Sequence, residues 1–179
     1  MIKNLPNQKF WKNKKVFLTG HTSFKGTWLK IWLENLGAKV TGYSIDYPSN
    51  PISLHKLIYK KKIKSEDILD YNYLKKKLSH CKPDIVFHLA AQSILSEAKK
   101  NPLDNFQTNI IGTASVLEAC TISKNVKLAA IITTDKCYEE NKMIKYFTEK
   151  SKLGGSEPYS SSKACAELVS KSYLKQFKY

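Results

Sequence analysis

Two hydrophobic patterns alternate along the chain: short continuous apolar runs, and apolar residues at steps of three and four. The first predicts buried strands and the second predicts helices. Residues 16–19 form a short apolar run that stops at Gly20, which is typical of a buried strand. Apolar residues then recur at steps of three and four until Gly37, which predicts a helix that ends there. A strand followed directly by a helix is the first βα unit of an open α/β sheet.

The alternation continues to the end of the chain. Further strands are predicted at 39–45, near Ile63, at 85–89 and at 128–133, and helices at 71–80, 103–123 and 160–177. Residues 139–158 form a polar loop long enough to be an active-site segment. Five strands with helices between them predict an α/β fold, a Rossmann-type doubly wound parallel sheet.

The first strand-to-helix turn carries two glycines, Gly20 and Gly26, in a G-x-x-x-x-x-G frame. In dinucleotide-binding folds such a turn lets the backbone approach a pyrophosphate, and the next helix points its free N–H groups at it. Asp46 follows the next predicted strand. A carboxylate there accepts both ribose hydroxyls and repels a 2′-phosphate, which favours NAD over NADP. The alternative is an ordinary acidic residue in an exposed turn.

A phenol and an ammonium group begin the last predicted helix. Tyr159 and Lys163 are four residues apart and therefore lie on one helix face. The cation stabilises a phenolate, so that Tyr159 can take a proton from a sugar hydroxyl during hydride transfer. The pair follows Thr134-Asp135-Lys136 at the carboxyl end of the predicted strand 128–133, where ligands bind in open α/β sheets.

Together these motifs resemble the extended short-chain dehydrogenase/reductase family over essentially the whole chain. The resemblance is carried by the turn from Gly20 to Gly26, His88-Leu89-Ala90-Ala91-Gln92, Asn109, and Tyr159 with Lys163. Within that family the chain is most similar to the CDP-glucose 4,6-dehydratases. The finer matches are Phe10-Trp11, Gly20-His21-Thr22, Phe24-Lys25-Gly26, Thr134-Asp135-Lys136-Cys137-Tyr138, and Gly154-Gly155 before Pro158-Tyr159. Related dTDP- and GDP-sugar dehydratases typically have a glutamate at the position of Lys136.

The resemblance implies an NAD-dependent 4,6-dehydration of a nucleotide sugar, CDP-glucose. It implies that Tyr159 takes the 4-hydroxyl proton while hydride leaves C4 for NAD, and that Thr134 hydrogen-bonds the sugar O4. Lys136 then removes the C5 proton, Asp135 protonates the departing 6-hydroxyl, and the hydride returns to C6. From the residues alone, Asp135 and Lys136 are equally well explained as caps of a strand end.

The resemblance also implies a set of NAD contacts. They are Gly20, Thr22, Ser23, Phe24, Lys25, Gly26, Asp46, Asp67, Ile68, Leu89, Ala90, Ala91, Asn109, Tyr159 and Lys163. Asp67 and Ile68 are expected at the adenine, and Ala90 and Ala91 at the ribose-pyrophosphate. The alanines are also explained by close packing of helices, and Asn109 by a structural amide within its helix.

The chain departs from the family pattern in several places. Ser23 replaces a glycine of the phosphate turn, where it either crowds the pyrophosphate, adopts disfavoured dihedral angles, or hydrogen-bonds a phosphate oxygen. Ser96 and Lys99 replace an arginine and a tyrosine. The matching is loose between Tyr138 and Gly154, where residues 145–148 replace a more aromatic, arginine-bearing stretch.

The length of the chain limits the expected activity. The family places its nucleotide-sugar domain after the helix that begins at Tyr159, so we expect 1–179 to be one incomplete NAD-binding Rossmann domain. The leading interpretation is an enzyme, a lyase of the dehydratase type. The alternatives are an epimerase, a dehydratase of another nucleotide sugar, or a non-catalytic fragment that binds only a dinucleotide.

Composition and charge bear on three further possibilities: a metal site, a nucleic-acid partner and a membrane span. Four cysteines and four histidines show no ligand spacing, so we expect free thiols and no metal. The net charge of +15 comes with lysine alone and no arginine, which argues against a nucleic-acid partner. No apolar stretch is long enough for a membrane span, and the first residues lack a leader's apolar region, so we expect a cytoplasmic protein. The family resemblance implies a homodimer.

Overall fold

The computed structural model describes residues 7–47, 53–60, 62–140 and 146–177. The strands are β1 (Lys15–Thr19), β2 (Lys39–Tyr43), β3 (Ile85–His88) and β4 (Leu128–Ile131). The α-helices are α1 (Gln8–Trp11), α2 (Phe24–Asn35), α3 (Leu54–Tyr59), α4 (Tyr71–Cys81), α5 (Leu95–Lys100), α6 (Pro102–Phe106), α7 (Gly112–Ile122) and α8 (Pro158–Phe177). A π-helical turn, Gln107–Ile111, joins α6 to α7, and a 3-10 turn, Asp135–Cys137, follows β4.

The four strands form one parallel sheet in the order β2-β1-β3-β4. Phe17 in β1 pairs with Thr41 of β2 on one side and with Val86 of β3 on the other. The chain therefore runs outwards from β1 to β2 and then returns to place β3 on the opposite side of β1. This reversal is the topological switch point, where open α/β sheets bind ligands at the carboxyl ends of their strands. The predicted fold class is confirmed.

The predicted strand near Ile63 is wrong, and the described sheet has four strands instead of about five. The segment does run beside the end of β2, because the Glu66 amide donates to the Ser44 carbonyl at 3.0 Å. The Ile63 amide, however, donates to the Tyr47 hydroxyl at 3.1 Å. A side chain thus takes the N–H group that a strand ladder would need. Lys61 lies outside the described residues.

Other boundaries differ by a few residues. β2 ends at Tyr43 and β4 at Ile131, each two residues before the predicted end. The long helix predicted at 103–123 begins at Pro102 and contains the π-helical turn. α8 begins at Pro158, inside the predicted loop, of which 141–145 lie outside the described residues. The sequence did not predict α1, α3 or α5.

Both faces of the sheet are buried, as a doubly wound fold requires. On one face Phe17 and Val86 pack with Leu74 of α4 and Val116 of α7. On the other face Val16 of β1 and Ile85 of β3 pack with Leu33 of α2 and with Ala38. Trp11 of α1 lies against this cluster. Because successive strand residues point to opposite faces, a continuous apolar run in β1 serves both cores. The carboxyl ends of the strands are thereby held rigidly at one edge.

Candidate functional site

A cavity of about 480 Å³ opens at the carboxyl ends of the strands. Its wall contains most of the predicted cofactor contacts: Gly20, Thr22, Ser23, Phe24, Lys25, Asp46, Asp67, Ile68, Leu89, Ala90, Ala91, Tyr159 and Lys163. Gly26 and Asn109 are buried behind this wall. Thr134, Asp135 and Lys136 lie just beyond it, after Thr133, which is on the wall. The fold therefore gathers residues from across the chain into one place.

The glycine turn is packed too tightly for side chains at its two ends. Gly20 has a φ of +69°, and a Cβ atom there would lie 2.7 Å from the Ala90 amide nitrogen. A Cβ atom at Gly26 would lie 2.0 Å from the Gly20 carbonyl oxygen. Both contacts are with backbone, which cannot move aside. The two glycines therefore close the turn against the start of α2 and the loop after β3.

His21 of the turn points away from the cavity and anchors the turn to β2. Its Nδ1 atom lies 2.8 Å from the Ser44 hydroxyl oxygen, and burial lowers its pKa to about 4. A Cβ atom at Gly42 would lie 2.4 Å from the His21 ring, so glycine at that position makes room for the imidazole. The neutral ring thus fixes the turn beside the end of β2.

Asp46 is held at the lip of the cavity by the turn itself. The Thr22 hydroxyl donates to the Asp46 carbonyl oxygen at 2.5 Å. The Asp46 Oδ1 atom accepts the Tyr47 amide at 2.6 Å, and its other carboxylate oxygen accepts no hydrogen bond from the described residues. An exposed carboxylate with one open oxygen at the end of the second strand is suited to ribose hydroxyls.

The predicted adenine end has an apolar residue and a carboxylate. Ile68 is buried and lies on the cavity wall, where its Cδ1 atom would be 2.4 Å from a Cβ atom at Gly112. Asp67 accepts the Leu69 amide at 2.9 Å through its side chain, and its carbonyl accepts the Tyr43 hydroxyl at 2.8 Å. The pair is therefore fixed at the edge of the sheet beside β2.

Glu66 is a buried carboxylate on the same wall that the sequence did not single out. It pairs with Lys77 Nζ at 2.6 Å and accepts the Tyr73 hydroxyl at 3.0 Å. Both partners lie on α4, at positions that sequence spacing does not connect to Glu66. This carboxylate therefore holds the segment before Asp67 against α4.

A buried histidine positions the loop after β3. Thr19 Oγ1 lies 2.7 Å from His88 Nδ1, and it also accepts the amides of Leu89 and Ala90 at 3.2 and 3.1 Å. Because the Thr19 oxygen accepts both amides, its own proton is directed at His88 Nδ1. His88 Nε2 lies 3.0 Å from the Thr113 hydroxyl, and burial lowers the pKa of His88 to about 3. A neutral Nε2–H tautomer satisfies every contact.

Asn109 lies in the π-helical turn and ties two elements of the site together. Its Oδ1 atom accepts the Gln92 amide at 2.9 Å, and its Nδ2 atom donates to the Gln92 carbonyl and to Ser162 Oγ, each at 2.9 Å. All of these partners belong to the loop after β3 or to α8. The structure thus gives Asn109 a positioning role, and its direct contact with a cofactor stays a prediction.

The first two turns of α8 present Tyr159 and Lys163 to the cavity. The Glu157 carboxylate accepts the amides of Tyr159 and Ser160 at 2.9 and 2.7 Å, which caps the helix. Lys163 Nζ donates to the Ile132 carbonyl at 3.1 Å at the end of β4. Burial lowers the pKa of Lys163 to about 8, although the nearby Glu167 carboxylate raises it. The lysine is therefore close to its titration point near neutral pH.

The segment after β4 carries the predicted dehydratase residues. Thr134 Oγ1 donates to Asp135 Oδ1 at 3.1 Å and accepts the Lys136 amide at 3.4 Å. The preceding Thr133 donates to the half-buried Glu167, one helical turn beyond Lys163. The sequence did not single out Glu167, because only the fold brings it to β4. This bond joins the end of β4 to α8, next to both chemical motifs.

The expectations about metals, cysteines and membrane spans can be compared with the structure over the described residues. Among the described residues, no group of His, Cys, Asp and Glu is placed to hold a metal ion, and the four cysteines are free thiols. None of the described helices is long and apolar enough to cross a membrane. The homodimer and the lack of a nucleic-acid partner stay predictions.

Comparison with known proteins places the chain in a family. The model of the GDP-mannose 4,6 dehydratase family matches residues 17–179. The CDP-glucose 4,6-dehydratase of Salmonella typhimurium is 39% identical over 174 residues, which are 96% of this chain and 48% of the relative. The dTDP-D-glucose 4,6-dehydratase of Dictyostelium discoideum is 34% identical over 92% of this chain and 41% of its own. This chain thus spans about half the length of these relatives.

Solved structures share the fold. The UDP-glucose 4-epimerase of Thermotoga maritima with UDP-glucose has a TM-score of 0.80 at 23% identity, over 91% of this chain and 52% of its own. The UDP-glucose 4-epimerase of Brucella ovis in complex with NAD has a TM-score of 0.78 at 21% identity, over 92% of this chain and 49% of its own. From its sequence match, supported by this fold, the chain belongs to the GDP-mannose 4,6 dehydratase family of nucleotide-sugar dehydratases and epimerases.

Proposed function

We propose that this chain is the NAD-binding, catalytic part of a nucleotide-sugar 4,6-dehydratase that acts on CDP-glucose. One observation carries the proposal: Tyr159 and Lys163 lie on the wall of the same cavity as the glycine turn and Asp46. The chemistry of proton transfer and the elements of a dinucleotide site are thereby side by side. The 39% identity to a CDP-glucose 4,6-dehydratase and the lysine at 136 support CDP-glucose over other nucleotide sugars.

The residues present fit NAD. The start of α2 and the closed turn between Gly20 and Gly26 offer backbone N–H groups to a pyrophosphate. Asp46 offers an open carboxylate oxygen to the adenine ribose, and Ile68 an apolar surface to the adenine. When bound, the nicotinamide supplies a hydride acceptor for C4 and a hydride donor for C6, so that no outside oxidant is needed.

Proton transfers fall to the residues at the other end of the cavity. The Lys163 ammonium stabilises a phenolate at Tyr159, which takes the proton of the sugar 4-hydroxyl. Thr134 donates to the oxygen at C4, and the resulting ketone acidifies the C5 proton, which Lys136 removes and later returns to C5. Asp135 gives its proton to the departing 6-hydroxyl, which leaves as water. In the free chain the Thr134 hydroxyl donates to Asp135 Oδ1, so this bond is exchanged for the one to the sugar oxygen when substrate binds.

A direct assay tests this proposal. The gene product, in the longest form that its reading frame encodes, is incubated with NAD and with CDP-glucose, dTDP-glucose, GDP-mannose or UDP-glucose in separate reactions. We expect a 4-keto-6-deoxy product from CDP-glucose. Consumption of another nucleotide sugar instead contradicts the substrate, and epimerisation without loss of water contradicts the dehydratase chemistry.

A second candidate function concerns these 179 residues by themselves. They align with 48% of the Salmonella relative, and oriented binding of a substrate supplies roughly 7–11 kcal/mol of a typical barrier. The alternative is that these residues bind the dinucleotide and turn over no nucleotide sugar on their own. NAD binding without turnover of any nucleotide sugar by the 179-residue chain is the result expected of it.

Catalysis is expected to depend on the charge of Lys163. With a pKa of about 8, the lysine is cationic below that pH and neutral above it. We therefore expect the rate of C4 oxidation, followed as NADH formation in a single turnover, to fall by about tenfold per pH unit above pH 8, because the phenolate loses its counter-charge. In Lys163→Arg the residual rate, whatever its size, is expected not to fall between pH 8 and 10, since guanidinium stays charged. A wild-type profile that is flat to pH 10 contradicts the role of Lys163.

A further inference from the structure

Ser23 closes the phosphate turn on itself. Its hydroxyl accepts the Gly26 amide at 3.1 Å and donates to the Gly20 carbonyl at 2.7 Å. The residue is the N-cap of α2, with φ −66° and ψ 167°. These angles are in the extended region that any residue adopts, so the expectation of disfavoured dihedral angles is wrong. Both polar functions of the side chain are satisfied within the turn.

The two hydrogen-bond partners of the Ser23 hydroxyl, Gly20 and Gly26, are the glycines that shape the proposed pyrophosphate site. A helix N-terminus binds an anion through the N–H groups of its first turn, and Gly26 carries one of them. The amides of Phe24 and Lys25 have no partner among the described residues. Ser23 therefore takes one of the three donors at this end of α2, while its side chain lies on the cavity wall.

An N-cap serine and a bound phosphate make the same kind of contact. Each places an oxygen over the first turn of the helix and accepts its N–H groups. A pyrophosphate oxygen at the Gly26 amide must displace the Ser23 hydroxyl, which then also loses its bond to Gly20. A pyrophosphate that leaves the cap in place gains fewer hydrogen bonds. In both cases the chain binds a pyrophosphate more weakly than it would without the Ser23 hydroxyl.

We propose that Ser23 is an internal competitor of the dinucleotide, and that its hydroxyl lowers the affinity of this chain for NAD. The inference rests on the proposed function, because it concerns the same cavity. The inference goes beyond the proposed function because it assigns to one side chain the control of how tightly NAD is held. The hydroxyl, and not the bulk of the Cβ atom, is the group responsible.

Four variants of the chain test this inference by calorimetric titration with NAD. Ser23→Ala removes the hydroxyl and keeps the Cβ atom, Ser23→Gly removes both, and Ser23→Thr keeps the hydroxyl. We expect Ser23→Ala and Ser23→Gly to bind NAD about fivefold tighter than the wild type, the equivalent of one helix cap. Ser23→Thr should bind within about twofold of the wild type, because threonine also caps helices.

The fourth variant controls for the loss of a cap as such. Asp70 caps α4 by accepting the Tyr73 amide at 3.0 Å, and it is not on the cavity wall. Asp70→Ala and Ser23→Ala should both lower the melting temperature of the free chain. Only Ser23→Ala should tighten NAD binding, so that affinity and stability move in opposite directions at Ser23 alone.

Four results overturn the inference. Tighter binding by Ser23→Gly alone assigns the effect to the Cβ atom. Weaker binding by Ser23→Ala makes the hydroxyl a ligand of the phosphate. Equal binding by all variants removes any role of Ser23 while the proposed function stands, whereas no binding of NAD by any of them contradicts the proposed function as well.

Discussion

Gly26→Ala is expected to weaken NAD binding by at least about a hundredfold, the equivalent of ~2.7 kcal/mol. The added Cβ atom would lie 2.0 Å from the Gly20 carbonyl oxygen and 2.9 Å from the His21 Cα atom. Both neighbours are backbone of the same tight turn, so the turn has to open to accept a methyl group. The N–H groups at the start of α2 then lose their common direction. Calorimetric titration of the purified variant measures the loss.

Gly154→Ala is the matched control for this substitution. The added Cβ atom would lie 3.1 Å from the Cβ atom of Glu139, an exposed side chain that can shift by a few tenths of an ångström. We expect NAD affinity within about twofold of the wild type, and a similar melting temperature. Wild-type affinity in Gly26→Ala would show that the turn is not the pyrophosphate site.

Tyr159→Phe is expected to lower dehydratase turnover by about 10²- to 10⁴-fold, the range of general acid–base catalysis. The substitution removes the hydroxyl oxygen and keeps the ring. The backbone amide of residue 159 still donates to the Glu157 carboxylate, so the start of α8 is unchanged. The affinity for NAD should therefore change only a few-fold. The measurement is kcat with CDP-glucose, on the same gene product as the wild-type assay.

Tyr173→Phe supplies the control on the same helix. The Tyr173 hydroxyl donates to Glu118 at 3.1 Å, on α7 and away from the cavity wall. Its removal is expected to leave kcat unchanged within about twofold. A Tyr159→Phe variant with wild-type kcat would remove the phenol from the chemistry, and the proposed assignment of the 4-hydroxyl proton with it.

Local patterns predicted those parts of the site that neighbouring residues determine. The unit from β1 through the glycine turn to α2 follows from a change of hydrophobic period at Gly20, and periodicity depends on backbone geometry alone. Tyr159 and Lys163 share a face because a helix repeats every 3.6 residues. The structure places both predictions at the same cavity.

Contacts between distant residues could not be predicted in this way. Thr19 and His88 are 69 residues apart, and only the parallel pairing of β1 with β3 makes them neighbours. Asn109 reaches Ser162 across 53 residues, from a π-helical turn that has no sequence signature. Such positions are set by tertiary packing, whose free energy depends on partners that a local pattern does not contain.

The strand predicted near Ile63 failed for a related reason. Its apolar residue and extended backbone are compatible with an edge strand, yet the Tyr47 hydroxyl takes the amide that would join the ladder. At Ser23 the sequence allowed strain, crowding or a phosphate contact, and the choice needed the side chain's direction. That direction is towards Gly20 and Gly26.

Titration of the purified chain with NAD and NADP tests most directly the claim that this cavity is the cofactor site of a dehydratase. We expect binding of one NAD per chain, and weaker binding of NADP because the Asp46 carboxylate repels a 2′-phosphate. In Asp46→Asn the preference for NAD should shrink, since the amide carries no charge. No binding of NAD, or binding of NADP as tight as that of NAD, would contradict an NAD site in this cavity.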